Sequence, residues 1–419
     1  MKFSVFSLGC RVNTYEGQAI VNKLIDNGYE ATDNLVYADY YVLNTCSVTA
    51  EADKKSRQAV ARVKKLNPNA KIFVCGCSSQ NNSKPFEEKN GVVLVSGVAK
   101  KCEFVDKILD YLKNGNETIK TNIYDLPTIY EDDFTPQLTT SRAFVKIQDG
   151  CNNFCSYCII PYLRGRSRSR SIESIKQEVL SFVGKTNEVV LTGINVSAYG
   201  IDIGTSLKSL ILALKDVPLR KRFGSFESTI IDEELLECMK ISGFCPSFHL
   251  SMQSGCDKTL LDMNRKYTSA KFLENVSLIR KYFPDAGITT DVIAGFPNES
   301  DDDFEKTYET CKKAKFMHMH VFPYSEREGT KASKMQQLPK QIRVSRANKL
   351  IELSNVMHLE FLNEQKGKVY RVLVEENAGE YNVGYTDNFI KVYTKAQVGS
   401  FENHIINQLY LDGVLGGKI

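Results

Sequence analysis

The sequence lacks an apolar stretch long enough to span a membrane, and it lacks a large excess of either charge. No run approaches the ~18 apolar residues that a span requires, and the start of the chain offers only a brief apolar run at 3–8. A net charge of +4 over 419 residues permits a polyanionic partner without arguing for one. The composition, 42% hydrophobic and 25% charged, is that of a folded globular protein. We therefore expect a cytoplasmic protein with no membrane partner.

Cysteine is the residue type that carries chemical information here. The chain has twelve cysteines and only five histidines. Secreted disulfide scaffolds are usually much shorter and denser in cysteine. In a reducing compartment, clustered cysteines more often hold metal or do redox work. The cysteines are therefore the first candidates for a functional site.

The pattern of apolar segments predicts an α/β protein built from several parts. Residues 1–115 alternate strand-like and helix-like segments, which predicts a parallel sheet covered by helices. Residues 116–138 are polar and interrupted by proline, as in a linker. Residues 139–364 resume the alternation, which predicts a partial (βα) barrel that ends in a helix at 340–364. Residues 365–419 contain short strands separated by Gly, Asn and Asp, which predicts a small antiparallel β-barrel.

Cys151, Cys155 and Cys158 lie within eight residues, directly after a predicted strand. A loop of this kind can ligate three irons of a four-iron cluster and leave the fourth iron open to a small molecule with an amine and a carboxylate. Zinc is the alternative, although structural zinc usually takes four Cys or His ligands and no histidine lies nearby in the sequence. A distant fourth ligand keeps the zinc alternative open.

Cys10, Cys46 and Cys77 share one placement, since each follows a predicted strand of the first part of the chain. The carboxyl ends of parallel strands meet at one edge of a sheet, where such folds bind ligands. Three thiols from three loops could therefore converge on a second cluster. The alternative is that these are buried, inert cysteines, a common fate of this residue.

The spacing Cys-x3-Cys-x2-Cys, with Tyr157 before the last cysteine, resembles the radical S-adenosylmethionine (radical SAM) superfamily. The resemblance implies a reducible [4Fe–4S] cluster on Cys151, Cys155 and Cys158 that cleaves S-adenosylmethionine to a 5′-deoxyadenosyl radical. It also implies a set of residues that contact the cofactor. These are Tyr157, Thr192, Gly193, Asn195, Ile293 and Gly295.

The segments around the three isolated cysteines resemble the methylthiotransferase family. Matching segments lie at 7–13, 44–48, 75–80, 164–170, 253–265 and 324–330, and the small terminal barrel resembles the TRAM domain of RNA-modifying enzymes. The resemblance implies a second [4Fe–4S] cluster on Cys10, Cys46 and Cys77. The pattern Gly-Cys-x-x-Gln selects Cys77 as the ligand, and we expect the nearby Cys75 to be a buried strand residue. Departures from the family pattern at 251–252 and 298–300 lie beside the presumed cofactor pocket.

The family resemblance implies a reaction that replaces an aromatic C–H by C–S–CH3. Sulfur on the open iron of the first-domain cluster is methylated by one S-adenosylmethionine, and a second is cleaved at the other cluster to activate the target carbon. The hydrogen replaced is barely acidic, so a side-chain base alone offers little. An electron donor and a sulfur source are implied as further partners.

The segment Cys10-Arg11-Val12-Asn13 resembles the branch of the family that acts on N6-threonylcarbamoyladenosine at position 37 of tRNA. The isopentenyl-adenosine branch more often has Cys-Gln-Met-Asn, and the ribosomal-protein branch has Cys-Pro-Lys-Asn. Both branches remain alternatives, as does a non-catalytic iron–sulfur RNA-binding protein. We expect the anticodon loop to be the partner. Phosphate contacts would come from four nearby arginines, Arg164, Arg166, Arg168 and Arg170.

Overall fold

The computed structural model describes residues 1–115, 121–133, 135–136 and 141–419. Residues 116–120, 134 and 137–138 of the predicted linker therefore lie outside the described residues. The described part of the linker is packed, because the Tyr130 hydroxyl donates to the Lys146 carbonyl at 2.8 Å. Among the described helices, none is both long and apolar enough to cross a bilayer.

The first part of the chain is a parallel sheet with helices on both faces. Its elements are β1 (Lys2–Ser7), α1 (Arg11–Asp26), β2 (Glu30–Thr32), β3 (Tyr40–Thr45), α2 (Ala50–Leu66), β4 (Lys71–Gly76), α3 (Cys77–Asn81), α4 (Lys84–Glu87), β5 (Val92–Ser96), α5 (Lys101–Asn114) and β6 (Thr121–Asn122). The strand order is β2-β1-β3-β4-β5-β6, with every pair parallel. The predicted sheet is confirmed, and β6 adds a segment of the predicted linker to its edge.

Two apolar clusters hold this sheet, one on each face. Alternate strand residues point to opposite faces, so Val42 packs with Ile20 of α1 on one face and Leu43 packs with Val60 of α2 on the other. Helix α2 begins where the Thr49 side chain accepts a hydrogen bond from the Ala52 backbone. This layering places the carboxyl ends of β1, β3 and β4 side by side.

The second part is an open barrel of βα units whose strands are parallel, except for the short strand Arg168–Ser169, which pairs antiparallel with its neighbour. Its elements are β7 (Arg142–Asp149), α6 (Ile160–Arg164), β8 (Arg168–Ser169), α7 (Ile172–Ser181), β9 (Glu188–Gly193), α8 (Leu207–Ala213), β10 (Arg220–Phe223), α9 (Glu233–Ile241), β11 (Ser247–Gln253), α10 (Asp257–Asp262), α11 (Ser269–Tyr282), β12 (Gly287–Ala294), α12 (Asp301–Ala314), β13 (His318–Pro323) and α13 (Lys340–Glu364). The strands run β8-β7-β9-β10 and β11-β12-β13, and isolated bridges such as Phe226–Leu250 join the two sheets. The predicted partial barrel is confirmed.

Strand β10 is one element that the apolar pattern did not indicate. It reads Arg-Lys-Arg-Phe, which is typical of a solvated surface, yet all four residues are buried. Arg220 and Arg222 both pair with the buried carboxylate of Glu188 on the neighbouring strand β9, Arg222 at 3.2 Å. Ion pairing between strands therefore replaces apolar burial here.

The last part is a closed five-stranded barrel packed against the second part. Its strands are β14 (Val369–Ala378), β15 (Tyr381–Thr386), β16 (Lys391–Thr394), β17 (Phe401–Tyr410) and β18 (Gly413–Lys418). The order is β14-β15-β16-β18-β17, antiparallel except for the parallel pair β16 and β18. Asp285 fixes it to the second part, since its carboxylate pairs with Lys368 at 2.6 Å and its carbonyl accepts from Asn388 at 2.8 Å.

Candidate active site between the first sheet and the open barrel

The three isolated cysteines lie at the carboxyl ends of three adjacent strands. Cys10 precedes α1, Cys46 follows β3, and Cys77 begins α3 after β4. The Cys77 thiol interacts electrostatically with both of the others. Gly9 has φ +93° and a Cβ there would lie 2.2 Å from the Cys46 Sγ, so only glycine fits beside this thiol. Cys75 is a buried residue of β4, as expected.

Asn13 holds the loops of this first trio together. Its amide donates to the Leu8 carbonyl at 2.8 Å and to the Thr45 carbonyl at 2.9 Å. Leu8 lies in the loop that carries Cys10, and Thr45 ends β3 directly before Cys46. One buried side chain thus fixes the relative position of two of the three thiols.

The second trio lies in the loop after β7, at the carboxyl end of the first barrel strand. The Asn264 amide donates to the Asn153 carbonyl at 3.2 Å and to the Phe154 carbonyl at 3.0 Å. Phe154 has φ +48°, a left-handed conformation that these two hydrogen bonds support. The thiols of Cys151 and Cys158 both interact with Cys155. The loop therefore gathers its thiols around one volume.

All six thiols belong to free cysteines. Burial raises the pKa of Cys77 and of Cys158 to about 12, and it also raises the pKa of Cys46 and of Cys151. In the absence of metal, these four thiols would therefore be protonated at neutral pH. Binding of a metal must release those protons.

Several N–H groups point at the sulfur atoms of the second trio. The Arg265 guanidinium lies 3.3 Å from the Cys155 Sγ, and the Asn195 amide lies 3.7 Å from the Cys151 Sγ. Hydrogen bonds to ligating sulfur are one way in which proteins set the reduction potential of iron–sulfur clusters. Arg265 is held in turn by Glu227 at 3.0 Å. The sequence pattern marked Asn195 as a cofactor contact, and it gave no role to Glu227.

Arg164 lies between the two trios and is fully buried. Its Nε donates to the Cys77 Sγ at 3.3 Å, and its Nη1 pairs with Glu16 at 2.9 Å and Asp149 at 3.1 Å. Its Nη2 donates to the Asn13 Oδ1 at 2.7 Å. Asp149 ends the strand before the Cys151 loop, so one guanidinium joins the loops of both trios.

The prediction that four arginines contact phosphate is wrong for three of them. Arg164, Arg168 and Arg170 are each at most 3% exposed. Their charges are required inside the protein, where Arg168 pairs with Asp149 at 3.3 Å and Arg170 pairs with Glu178. Arg166 is exposed and lies over the Phe154 ring at 4.5 Å, so it alone of the four faces solvent.

Two of the six predicted cofactor residues, Tyr157 and Ile293, line one cavity. This cavity has a volume of about 260 Å³, includes Cys158 in its wall, and is closed on the other side by Val48 and Thr49 of the first part. The hydroxyl of Tyr324, in the same wall, is buried and has no hydrogen-bond partner among the described atoms. A buried hydroxyl without a partner is a candidate hydrogen-bonding group for a polar ligand.

The other predicted cofactor residues have structural contacts of their own. Thr192 and Gly193 end β9 beside the Cys151 loop, with Gly193 packed against Gln148. The Asn195 backbone N–H donates to the Gln148 side chain at 2.8 Å. Gly295 donates its N–H to Glu299 at 2.9 Å and packs on Arg343, which explains a glycine at that turn.

The donor sets fit iron–sulfur clusters. Each trio offers three free thiols, the first at the ends of three strands and the second in a single loop after β7. Within the described residues, no three Cys, His, Asp or Glu side chains are placed as ligands of one metal ion. A four-iron cluster needs thiolates that are further apart, because each one binds a different iron.

Comparison with known families agrees with this geometry. A model of the radical SAM superfamily matches residues 145–311, and a model described as uncharacterized protein family UPF0004 matches residues 2–97. The first match includes the Cys151 loop and the five strands from β8 to β12. The second part of the chain is therefore a radical SAM domain, a class that implies a [4Fe–4S] cluster and S-adenosylmethionine.

Relatives in sequence extend over nearly the whole chain. The threonylcarbamoyladenosine tRNA methylthiotransferase MtaB of Aquifex aeolicus is 38% identical over 94% of this chain and 96% of its own length. The MtaB of Bacillus subtilis is 37% identical over 93% and 89%. A tRNA-2-methylthio-N(6)-dimethylallyladenosine synthase of Thermoanaerobacter is 34% identical over 89% and 82%. The chain belongs to the radical SAM methylthiotransferase family.

Solved structures show the same fold at low identity. The radical SAM methyltransferase TsrM of Kitasatospora setae has a TM-score of 0.57 and 13% identity over 90% of this chain and 79% of its own. The cobalamin-dependent radical enzyme OxsB has a TM-score of 0.52 and 11% identity over 84% and 56%. At such identities the likeness concerns the fold alone.

Proposed function

We propose that this chain is a transferase that converts N6-threonylcarbamoyladenosine at position 37 of tRNA into its 2-methylthio derivative. The observation that supports the proposal best is the pair of cysteine trios at the strand ends of two packed sheets, joined by Arg164. In this proposal Cys151, Cys155 and Cys158 hold one [4Fe–4S] cluster, and Cys10, Cys46 and Cys77 hold a second.

When bound, the two clusters would supply one-electron cleavage of S-adenosylmethionine and a place for the sulfur that is transferred. The chain's own residues orient these groups and exclude water. Arg265 and Asn195 donate to the thiols of the Cys151 loop, and Arg164 donates to Cys77. Tyr157 and Ile293 form an apolar wall suited to an adenine ring. An electron donor and a sulfur source complete the reaction as external partners.

The substrate assignment rests on the segment Cys10-Arg11-Val12-Asn13 and on relatives named for threonylcarbamoyladenosine. Within that segment Asn13 joins the cysteine loops, and the Arg11 Nη1 donates to the Gly224 carbonyl at 3.2 Å. Arg11 thus fixes the first sheet onto the barrel, and Asn13 does so by accepting a hydrogen bond from Arg164. The anticodon loop is the expected partner, since single-stranded loops present bases that can be splayed into a pocket. The terminal barrel at 365–419 would act as a TRAM domain.

Nucleoside mass spectrometry of bulk tRNA tests this function. Cells that lack the protein should lose 2-methylthio-N6-threonylcarbamoyladenosine and accumulate the unmethylthiolated nucleoside. Complementation with Cys77→Ala should fail, while Cys75→Ala, a buried cysteine two residues away, should restore the product. Loss of the methylthio isopentenyl nucleoside instead would assign the other tRNA branch. An unchanged nucleoside profile would contradict both.

A further inference from the structure

A second, larger cavity of about 600 Å³ lies between the first sheet and the barrel. Its walls include Ser78, which follows Cys77, and Ile159, which follows Cys158. It therefore borders the loops of both cysteine trios. Its volume is in the range of small-molecule sites. The rest of the wall is formed by helix α2, by residues 81–86, by Tyr162 and by residues 327–329.

Two guanidinium groups face this cavity, and one of them has no counter-ion. Arg327 is 7% exposed and lines the cavity. Its Nη2 pairs with Asp53 at 2.6 Å and donates to the Ser47 hydroxyl at 2.6 Å. Its buried Nε has no hydrogen-bond partner in the described structure. Asp53 lies one helical turn from Arg57 but is engaged by Arg327. Arg57 is exposed, and among the described residues no hydrogen bond or ion pair holds its guanidinium.

The cavity wall carries two guanidinium groups and two carboxylates, and because Arg327 is paired with Asp53, Arg57 is the cation available to one carboxylate of a ligand. Glu328 is the other acidic residue in its wall, and it is exposed, so solvent stabilises it without help from Arg57. The planar guanidinium matches a carboxylate with two parallel hydrogen bonds. The unpartnered Nε of Arg327 offers one more donor from the buried side.

We infer that Arg57, supported by Arg327, binds the carboxylate of the threonylcarbamoyl group. The inference rests on the proposed function and deepens it, because it names the feature of the substrate that this cavity recognises. The N6 substituent is attached at C6 of adenine, and C6 and C2 are bonded to the same ring nitrogen, N1. A substituent held in a cavity beside both cysteine loops therefore keeps C2 close to those loops. An isopentenyl group has no charge and gains nothing from Arg57.

Binding of synthetic anticodon hairpins to the anaerobically reconstituted protein tests the inference. Three hairpins differ only at position 37, which carries threonylcarbamoyladenosine, its neutral methyl ester or isopentenyl-adenosine. Fluorescence anisotropy should show the wild type binding the acid about ten- to a hundredfold more tightly than the ester, since a charge-assisted hydrogen bond has that strength. Arg57→Gln should bind the two within about twofold, by the same estimate. Lys55→Gln, which removes a charge from another face of the same helix, should keep the preference.

The other outcomes separate the inference from the proposed function. A loss of affinity in Arg57→Gln that is equal for all three hairpins would show a contact with backbone phosphate and overturn the inference. Retained preference for the acid in Arg57→Gln would overturn it as well, while methylthiolation of the acid hairpin by the wild type would leave the proposed function intact. If the wild type methylthiolates the isopentenyl hairpin and not the acid, the proposed function itself fails.

Discussion

Replacing Arg164 with methionine should strongly destabilise the protein even in its metal-free form. The guanidinium is 0% exposed and neutralises two buried carboxylates, Glu16 at 2.9 Å and Asp149 at 3.1 Å. Removing one partner of a buried ion pair usually costs about 3–5 kcal/mol, because the remaining charge stays desolvated. Here Lys146 reaches both carboxylates at 3.4 Å. The expected loss is therefore near the lower end, about 3 kcal/mol.

The loss of unfolding free energy in the variant should be larger at neutral pH than in acid. Burial alone would raise the pKa of Glu16, but Arg164 and Lys146 outweigh it and lower that pKa to about 2. The pKa of Asp149 is lowered by the same two cations and by Arg168, against burial. In the wild type, the ionised carboxylates thus stabilise the folded state at pH values above their unfolded pKa of about 4. This stabilisation is lost as the pH falls toward their lower pKa in the folded state. In the variant the pKa values rise, so protonation relieves the unpaired charge and the two proteins converge in acid.

Urea denaturation of the metal-free protein, followed by circular dichroism, measures this difference at pH 7.5 and pH 4.5. The difference in unfolding free energy should be about 3 kcal/mol at the higher pH and clearly smaller at the lower. Arg166→Met is the matched control, since Arg166 is exposed and its contact with Phe154 is worth about 1 kcal/mol or less. A difference below about 1 kcal/mol at pH 7.5, or one that does not change with pH, would refute the reasoning.

The remaining predictions concern the clusters and the barrel. Cys155→Ala should abolish formation of 5′-deoxyadenosine, measured by mass spectrometry, and retained formation would rule out its assigned role. Cys46→Ala should lower the iron content from about eight to about four per chain while 5′-deoxyadenosine still forms; loss of all iron would contradict two independent sites. Glu188→Gln should lower the unfolding free energy by about 3 kcal/mol, because Arg220 and Arg222 stay buried beside it. The control Glu234→Gln, in an exposed pair with Lys208, should change it by less than about 1 kcal/mol.

The placement of the cysteines could be predicted from the sequence because it depends on local order. Cys10, Cys46 and Cys77 each follow a strand, and parallel strands bring their carboxyl ends to one edge. The packing of that edge against the Cys151 loop could not be predicted in the same way. It depends on contacts between residues far apart in sequence, such as Arg327 with Asp53 and Arg164 with Cys77.

The residues that the sequence analysis assigned wrongly or left unassigned are mostly basic. Strand β10 contains three cations in four residues, and the segment 164–170 contains four arginines in seven. Such runs usually lie on a solvated face. In this protein most of them face buried carboxylates, and those acidic partners, such as Glu16 and Glu188, are isolated in the sequence. Ion pairs between residues that are far apart in sequence leave no periodic pattern of residue types from which they could be predicted.

The difference between arginine and lysine explains which cations remain for an outside ligand. A guanidinium is weakly hydrated and makes several directed hydrogen bonds, so it can be buried with a carboxylate, whereas an ammonium group is strongly hydrated. The basic segment at 331–350 follows this rule. Arg346 is buried with Glu299 at 2.7 Å and Arg343 donates to the Tyr324 carbonyl at 2.8 Å, while its lysines are exposed. Among the described residues, an arginine that reaches solvent or a cavity without a hydrogen-bond or ion-pair partner is therefore unusual. For this reason Arg57 is a stronger candidate for contact with a substrate than any cluster of basic residues in the sequence.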